Sequence, residues 1–309
     1  MENGRNGSLL VYFILQGFPG SFMFHVIMFT ALLLIYFVTL VGNVFVAVLI
    51  CSDYRLHSPM YFFLVCFSVV ETILSSSVVP KLLVILITGE KAISRVGCFA
   101  QSYIFYFIST TDFLLLTVMS IDRCVAICLP LRYSSIMAKS ICISLMTGCL
   151  IPPFITLLYP TIILANLPFC GNVLNHFFCE SAALLKLACI DTSLLKLNTI
   201  LSSVLILIVC LIIAVISYII IVATIIRMPT GTGRQKTFST CGSHLTMLSL
   251  VFGSAIFIVI RPPKEYSVEN DKMINLISTV LAPLLNPFVY TLKNQKVKEC
   301  VQDTIKRKC

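Results

Sequence analysis

Charge is what this sequence has least of. Only 11% of its 309 residues are Asp, Glu, Lys or Arg, 58% are hydrophobic, and mean hydropathy is +1.00. A soluble domain carries about a quarter of its residues as charges, so a water-soluble globule is excluded and the chain reads as an integral membrane protein. Low-complexity tracts, internal repeats and a soluble domain are also missing from the sequence. No nucleophile, base and orienting group fall into a catalytic pattern, which leaves an enzyme without support. The Gly-containing turn Met228–Gly233 is neither preceded by a strand nor followed by Gly-Lys-Ser, so it makes no phosphate loop.

What is present is long apolar runs. Spanning a bilayer takes about 20 apolar residues per helix, whereas barrel strands would alternate. The runs are solid and predict helices over Phe24–Ile50, Pro59–Ile87, Gly97–Cys128, Ser140–Leu164, Leu195–Arg227, Phe238–Ile260 and Lys272–Leu292. The expected fold is an all-α membrane protein, one seven-transmembrane-helix bundle with a short cytoplasmic amphipathic helix at its C-terminus. Residues 1–23 form an extracellular N-terminus, 24–292 the bundle and 293–309 a cytoplasmic tail. The connections after the first, third, fifth and seventh runs, taken with Arg123, hold thirteen Lys and Arg against four acids; the opposite side holds nine against seven. The positive-inside rule therefore puts the C-terminus in the cytoplasm. The basic balance is a topology signal, and nucleic acid drops out as a partner. Asn6-Gly7-Ser8 is a glycosylation acceptor on the side so deduced to be extracellular. Leu9–Leu15 is apolar but lacks the basic lead and small-residue cleavage site of a signal peptide, so the first helix serves as its own signal.

Few polar groups interrupt the runs, and each needs a reason. Glu71 and Asp112 lie mid-run, where an ionised carboxylate costs about 2.5–3.5 kcal/mol on insertion scales. They are expected to share a cation, a proton or water. Asp122-Arg123 stands where the third run nears its end and a charge reaches headgroups or a partner protein. Pro287, preceded by Asn286 and by Pro283 one turn earlier, removes a backbone hydrogen bond inside the seventh run and marks a hinge. Cys98, Cys170, Cys179 and Cys189 gather on the oxidising face and allow three pairings. Cys300 and Cys309 are candidate lipidation sites, although the end is no C-a-a-X box. An ion-coupled transporter or channel would also place acids at the midplane, but paired interrupted helices and repeats are not found. A retinal-type pump needs a lysine in the middle of the seventh run, and Lys272 is at its start.

Several blocks carry a resemblance: Gly42-Asn43, LHSPMYFFL at Leu56–Leu64, MSIDRCVAIC at Met119–Cys128, PLRY at Pro130–Tyr133, HFFCE at His176–Glu180, Ser217-Tyr218, KTFSTCGSHL at Lys236–Leu245 and PLLNPFVYTLKN at Pro283–Asn294. By these the chain resembles the olfactory (odorant) receptors of the class A G-protein-coupled superfamily, of the tetrapod type. It departs where the family reads MAYDRY, having Ser120, Ile121 and Cys124, and again at Phe252-Gly253, where the family has tyrosine. The resemblance implies that Arg123 is held by Asp122 at rest and freed to meet a Gα subunit, with Tyr218, Lys236, His244, Asn286, Pro287 and Tyr290 as coupling and switch residues. It implies Glu71 and Asp112 as a sodium or proton site, sodium being an allosteric ion and no other cofactor being expected. It selects the disulfides Cys98–Cys179 and Cys170–Cys189; with Cys179 so used, His176 is not expected to hold a metal. The ligand site is expected in the outer third of the bundle. It would be lined by Phe105, Tyr106, Ser109 and Thr110 on one face of the third helix, Ser202, Ser203 and Ile206 on the fifth, Phe252, Ala255, Ile256 and Val259 on the sixth, and Leu276 and Thr279 on the seventh. With no charge pointing in, that lining suits a small, neutral, mostly apolar volatile odorant. The implied partners are this odorant, a heterotrimeric G protein of the Gs/olfactory type that raises cyclic AMP, and membrane lipid. The implied location is the plasma membrane of olfactory cilia.

Overall fold

The computed structural model describes the backbone of residues 11–228, 232–260, 268–293, 297–300 and 302–303; the side chains of 232–240, 243, 258–260, 268 and 290–293 lie outside the description. Among these residues the elements are β1 (Tyr12–Leu15), α1 (Phe22–Ser52), α2 (Pro59–Thr88), β2 (Ala92–Ser94), α3 (Arg95–Cys128), α4 (Tyr133–Ile136), α5 (Lys139–Asn166), β3 (Val173–Leu174), α6 (Ser181–Leu187), α7 (Ser193–Arg227), α8 (Thr232–Ile260) and α9 (Val268–Lys293). The seven expected spans are α1, α2, α3, α5, α7, α8 and α9. Among the described residues six of these helices are long and apolar enough to cross a membrane, and α8 contributes an apolar stretch over His244–Phe257. α8 starts six residues earlier than its apolar pattern predicts and α9 four, because polar residues extend both helices beyond the apolar run.

Local chemistry sets the helix ends. Ser21 Oγ accepts from Phe24 N at 3.2 Å and Ser94 Oγ from Gly97 N at 3.1 Å, so each serine occupies donors that the first turn of α1 or α3 leaves orphaned. Pro59 begins α2, and Gly89 ends it at φ 72°, a left-handed cap that a side chain would strain. Inside the bundle α1 and α9 approach closely: a Cβ added to Gly42 would lie 2.7 Å from Pro287 Cγ. Asn43 then bridges the pair, donating to Thr39 O and Pro283 O at 3.0 Å each, while Asn286 donates to Asn43 Oδ1 at 2.8 Å. The Pro283 carbonyl, which Pro287 leaves without its helical donor, is thus satisfied from α1, which is what a membrane interior demands.

Tyr12–Leu15 is the central strand of a three-stranded sheet, antiparallel to β2 (Phe13 opposite Ile93) and parallel to β3 (Leu15 opposite Leu174). Alternation drives it: Phe13 and Leu15 are fully buried and Tyr12 faces out. The strand seats on a hydrophobic cluster with Cys98, Phe99, Cys179 and Leu184. There Cys98 is bonded to Cys179 and, nearby in sequence, Cys170 to Cys189. At the far end of the bundle, helical residues 297–300 return to the α1–α2 turn. Arg55 bonds Asp53 at 2.7 Å and Asp303 at 2.8 Å. The Arg55 guanidinium holds the Asp53 carboxyl well below the usual carboxylate range, so the Arg55–Asp53 pair stays charged at neutral pH. Cys300, a lipidation candidate by sequence, is buried and hydrogen-bonded to Asp53.

The two disulfides should differ in what their loss costs. Cys98–Cys179 closes 81 residues and Cys170–Cys189 closes 19; the chain-entropy relation gives about 4.5 and about 3 kcal/mol. Melting the solubilised protein should therefore show a larger loss for Cys98→Ser than for Cys170→Ser. The reverse order would mean that strain or residual structure, rather than loop closure, governs this face.

Candidate functional site

Three polar centres lie along the bundle. The first is at the end that carries α4. Asp122, on the last turns of α3, is buried, and Arg123 bonds it through Nη2 at 2.5 Å and Nε at 3.2 Å. The other carboxylate oxygen accepts from Tyr133 OH at 2.7 Å. Burial and the Asp122 carboxylate push the Tyr133 phenol above its ordinary value, so it remains a donor. Tyr133 was not among the site residues read from sequence; it stands eleven residues away across the α3–α4 turn, and only the PLRY block pointed to it. It supplies the phenol that the positions flanking Asp122-Arg123 lack. Beside Arg123, Tyr218 OH of α7 lies 2.9 Å from His244 Nδ1 and 3.3 Å from Cys241 O, both on α8, with the Tyr218 and His244 rings stacked. His244 Nε2 is buried with no hydrogen-bond partner. Lys236 and Tyr290 lie outside the described side chains.

The second centre is at mid-bundle. Glu71 on α2 and Asp112 on α3 are buried at 0% and 3% exposure and feel each other's charge. Both oxygens of Glu71, Oδ1 of Asp112 and the hydroxyl of Ser68 one turn before Glu71 have no hydrogen-bond partner. Buried polar atoms are rarely left so. Four orphaned oxygens, two of them on one carboxyl, have the hard-donor chemistry of a small cation site. Among the described residues no group of three His, Cys, Asp or Glu side chains fits a metal ion, His176 included.

The third centre is at the disulfide end. Phe105 touches the ring of Phe178, 4.7 Å between centroids, and Tyr106 OH accepts from Ser181 N at 3.3 Å. Phe252 is buried edge-on against Phe113 at 5.3 Å, and Phe105, Ile206, Phe252, Ala255 and Ile256 share one hydrophobic cluster. Leu276 belongs to a second cluster against which Phe105 also packs. Ser109 and Thr110 are half-buried on the same α3 face, and buried Thr279 bonds Asn275 O at 2.7 Å. Two expected members do not join this group: Ser202 and Ser203 are exposed on α7, and the Ser202 hydroxyl turns back to Asn198 O at 2.8 Å. Serines in an apolar helix satisfy themselves on the preceding turn, which helical spacing alone does not reveal. The Val259 side chain and the whole of Asn6 lie outside the description. A charge does stand at this end: Glu180 caps α6 through Ala183 N at 2.6 Å and interacts with Tyr106.

Comparison with known proteins bears on the whole arrangement. The family model described as "Olfactory receptor" matches residues 32–308. Olfactory receptor 6T1 of Homo sapiens is 44% identical over 304 residues, covering 98% of this chain and 94% of that one. Olfactory receptor 6E1 of Mus musculus is 40% identical over 304 residues, covering 98% and 97%. Similarity of this extent takes in the Asp122–Arg123–Tyr133 end, the mid-bundle acids and the disulfide-capped end together, and places the chain in the olfactory receptor family, whose members are multi-span membrane receptors and not enzymes.

Proposed function

We propose that this receptor binds a small, neutral, mostly apolar odorant at the disulfide end and activates a Gs-type olfactory G protein at the Arg123 end, raising cyclic AMP. The observation that carries this reading is the closed state of Arg123. Its guanidinium is occupied by Asp122, and Tyr133 holds the far side of that carboxylate. A guanidinium stays charged and forks to carbonyl or carboxylate acceptors, so an Arg123 released from Asp122 would be ready to bind a partner helix. Tyr218 and His244 tie α7 to α8 beside it, where an outward movement of α8 would open the cleft. In this reading the disulfide end is extracellular, Asn6 is glycosylated, the C-terminus is cytoplasmic and the protein resides in the ciliary plasma membrane. Glu71 and Asp112 hold sodium or share a proton, and that occupancy favours the resting state if activation collapses the space between them.

Arg123→Ala should abolish odorant-driven cyclic AMP while surface expression is largely kept; normal signalling in that variant would rule out the coupling role. Tyr133→Phe should act oppositely. Losing one hydrogen bond to a buried carboxylate is worth about 1.5–3 kcal/mol, so ligand-independent cyclic AMP per surface receptor should rise roughly tenfold or more. An unchanged basal signal would show that Tyr133 does not restrain the pair.

Asp112→Asn should change basal or odorant-driven activity and erase any dependence on sodium. If responses per receptor match the parent across sodium concentrations, the acids are a packing feature. Epitope tags at the two termini, stained with and without permeabilisation, test the orientation, and an inward N-terminus would sink it.

A further inference from the structure

One buried charge has no part in the signalling just proposed. Lys272, in the first turns of α9, is 1% exposed. Its ammonium donates to Gly17 O at 2.8 Å and to Glu269 Oε1 at 2.9 Å, while the Glu269 side chain remains 44% exposed. A lysine leaves water only where acceptors replace the water it loses, and here one is a backbone carbonyl of the segment between β1 and α1. Gly17 sits at φ 67°, and a Cβ there would lie 3.2 Å from Ile85 Cγ2, so the carbonyl is aimed by a conformation that suits glycine. On its other side Gly17 N donates to His176 O at 3.1 Å.

From this point an unbroken series of rings leads inward. Phe18 stacks on Phe177 at 5.3 Å, Phe177 packs on Phe178 at 5.1 Å, and Phe178 lies over Phe105 at 4.7 Å. His176 stacks on Phe177 and meets Phe178 edge-on, both at 4.6 Å. Aromatic contacts of this kind favour particular ring geometries, so displacing Phe18 disturbs the ring beneath it. Lys272 thus connects, through one carbonyl, to the ceiling over the α3 face that starts at Phe105.

We propose that Lys272 is a positioning residue for ligand binding: it clips the Gly17–Phe18 strap to α9 and so holds the Phe177–Phe178 ceiling closed over Phe105, Tyr106 and Ser109. This rests on the reading of that face as the ligand site. Entry of a small apolar ligand from the disulfide end then requires the ammonium to exchange Gly17 O for water while the strap lifts. The lysine sets access and ceiling height without touching the ligand.

The test uses the full-length receptor in intact cells with Ser109→Cys added, labelled by a membrane-impermeant methanethiosulfonate reagent, the parent chain's own labelling being subtracted. With Lys272 intact, Ser109→Cys should label slowly. Lys272→Met should accelerate labelling roughly tenfold or more, the population change expected when a charged hydrogen bond is lost. Phe18→Ala, which keeps the clip and removes the first ring, should accelerate it too. Lys81→Met removes bonds to Glu90 O and Ala92 O at the same end and should leave the rate unchanged. Parental rates in both Lys272→Met and Phe18→Ala overturn the proposal, as does equal acceleration by Lys81→Met, which would mean general loosening. Should Lys272→Met not reach the surface, the comparison of Phe18→Ala with Lys81→Met decides. Labelling needs no odorant, so rates that change as expected while no odorant of an active panel slows labelling would leave the clip standing and refute the ligand-site reading.

Discussion

Every charge withdrawn from water in this bundle must be closed by something within reach, because neither lipid nor helix packing supplies a substitute for hydration. Three charged sites meet this demand in different ways. Asp122 and Arg123 neutralise each other, and Tyr133 occupies the remaining carboxylate oxygen. Lys272 is closed by a carbonyl and by a glutamate that stays half in solvent. At the Glu71–Asp112 centre both oxygens of Glu71 and Oδ1 of Asp112 are buried without a hydrogen-bond partner. Removing one partner of a buried pair typically costs 3–5 kcal/mol. The two ends of the molecule are therefore held in single arrangements, and the middle is the place where the proposed cation or proton would act. A bundle so built is stiff where its charges are complete and sensitive to its surroundings where they are not.

What the sequence revealed follows the range of the forces involved. The seven helices were legible because each is written in one continuous apolar run, and Asp122-Arg123 because its partners are adjacent. The mid-bundle acids stood out because nothing near them in sequence could satisfy them. Tyr133 was hidden: its hydroxyl reaches Asp122 only after the chain turns through Leu129–Arg132, and an aromatic in a polar connection has no distinguishing pattern. Lys272 was misleading in another way. Positioned at the water end of an apolar run, it reads as a solvated charge, and only the return of the N-terminal strap buries it. β1 is four residues long and pairs with strands some 80 and 160 residues away, so its strand character rests on non-local partners that no local periodicity records. Ser202 and Ser203 are exposed in the outer part of α7, a degree of exposure that helical spacing alone does not record.

α8 is the helix in which these effects meet. It is tied to its neighbours by specific contacts. Two of these are well defined: Phe252 against Phe113 of α3, and His244 with Cys241 O against Tyr218 of α7. Eight residues separate Phe252 from His244, about 12 Å along a helix rising 1.5 Å per residue. The upper contact is apolar and tolerates rotation, since an edge-to-face pair keeps much of its attraction over a range of angles. The lower contact is a hydrogen bond, which weakens steeply with distance and angle. A tilt of α8 about Phe252 would therefore break the Tyr218–His244 link before it disturbed the core. Because Phe252 shares its cluster with Phe105, Ile206, Ala255 and Ile256, the odorant proposed for that end would act on the pivot, and the bond that would yield lies beside Arg123.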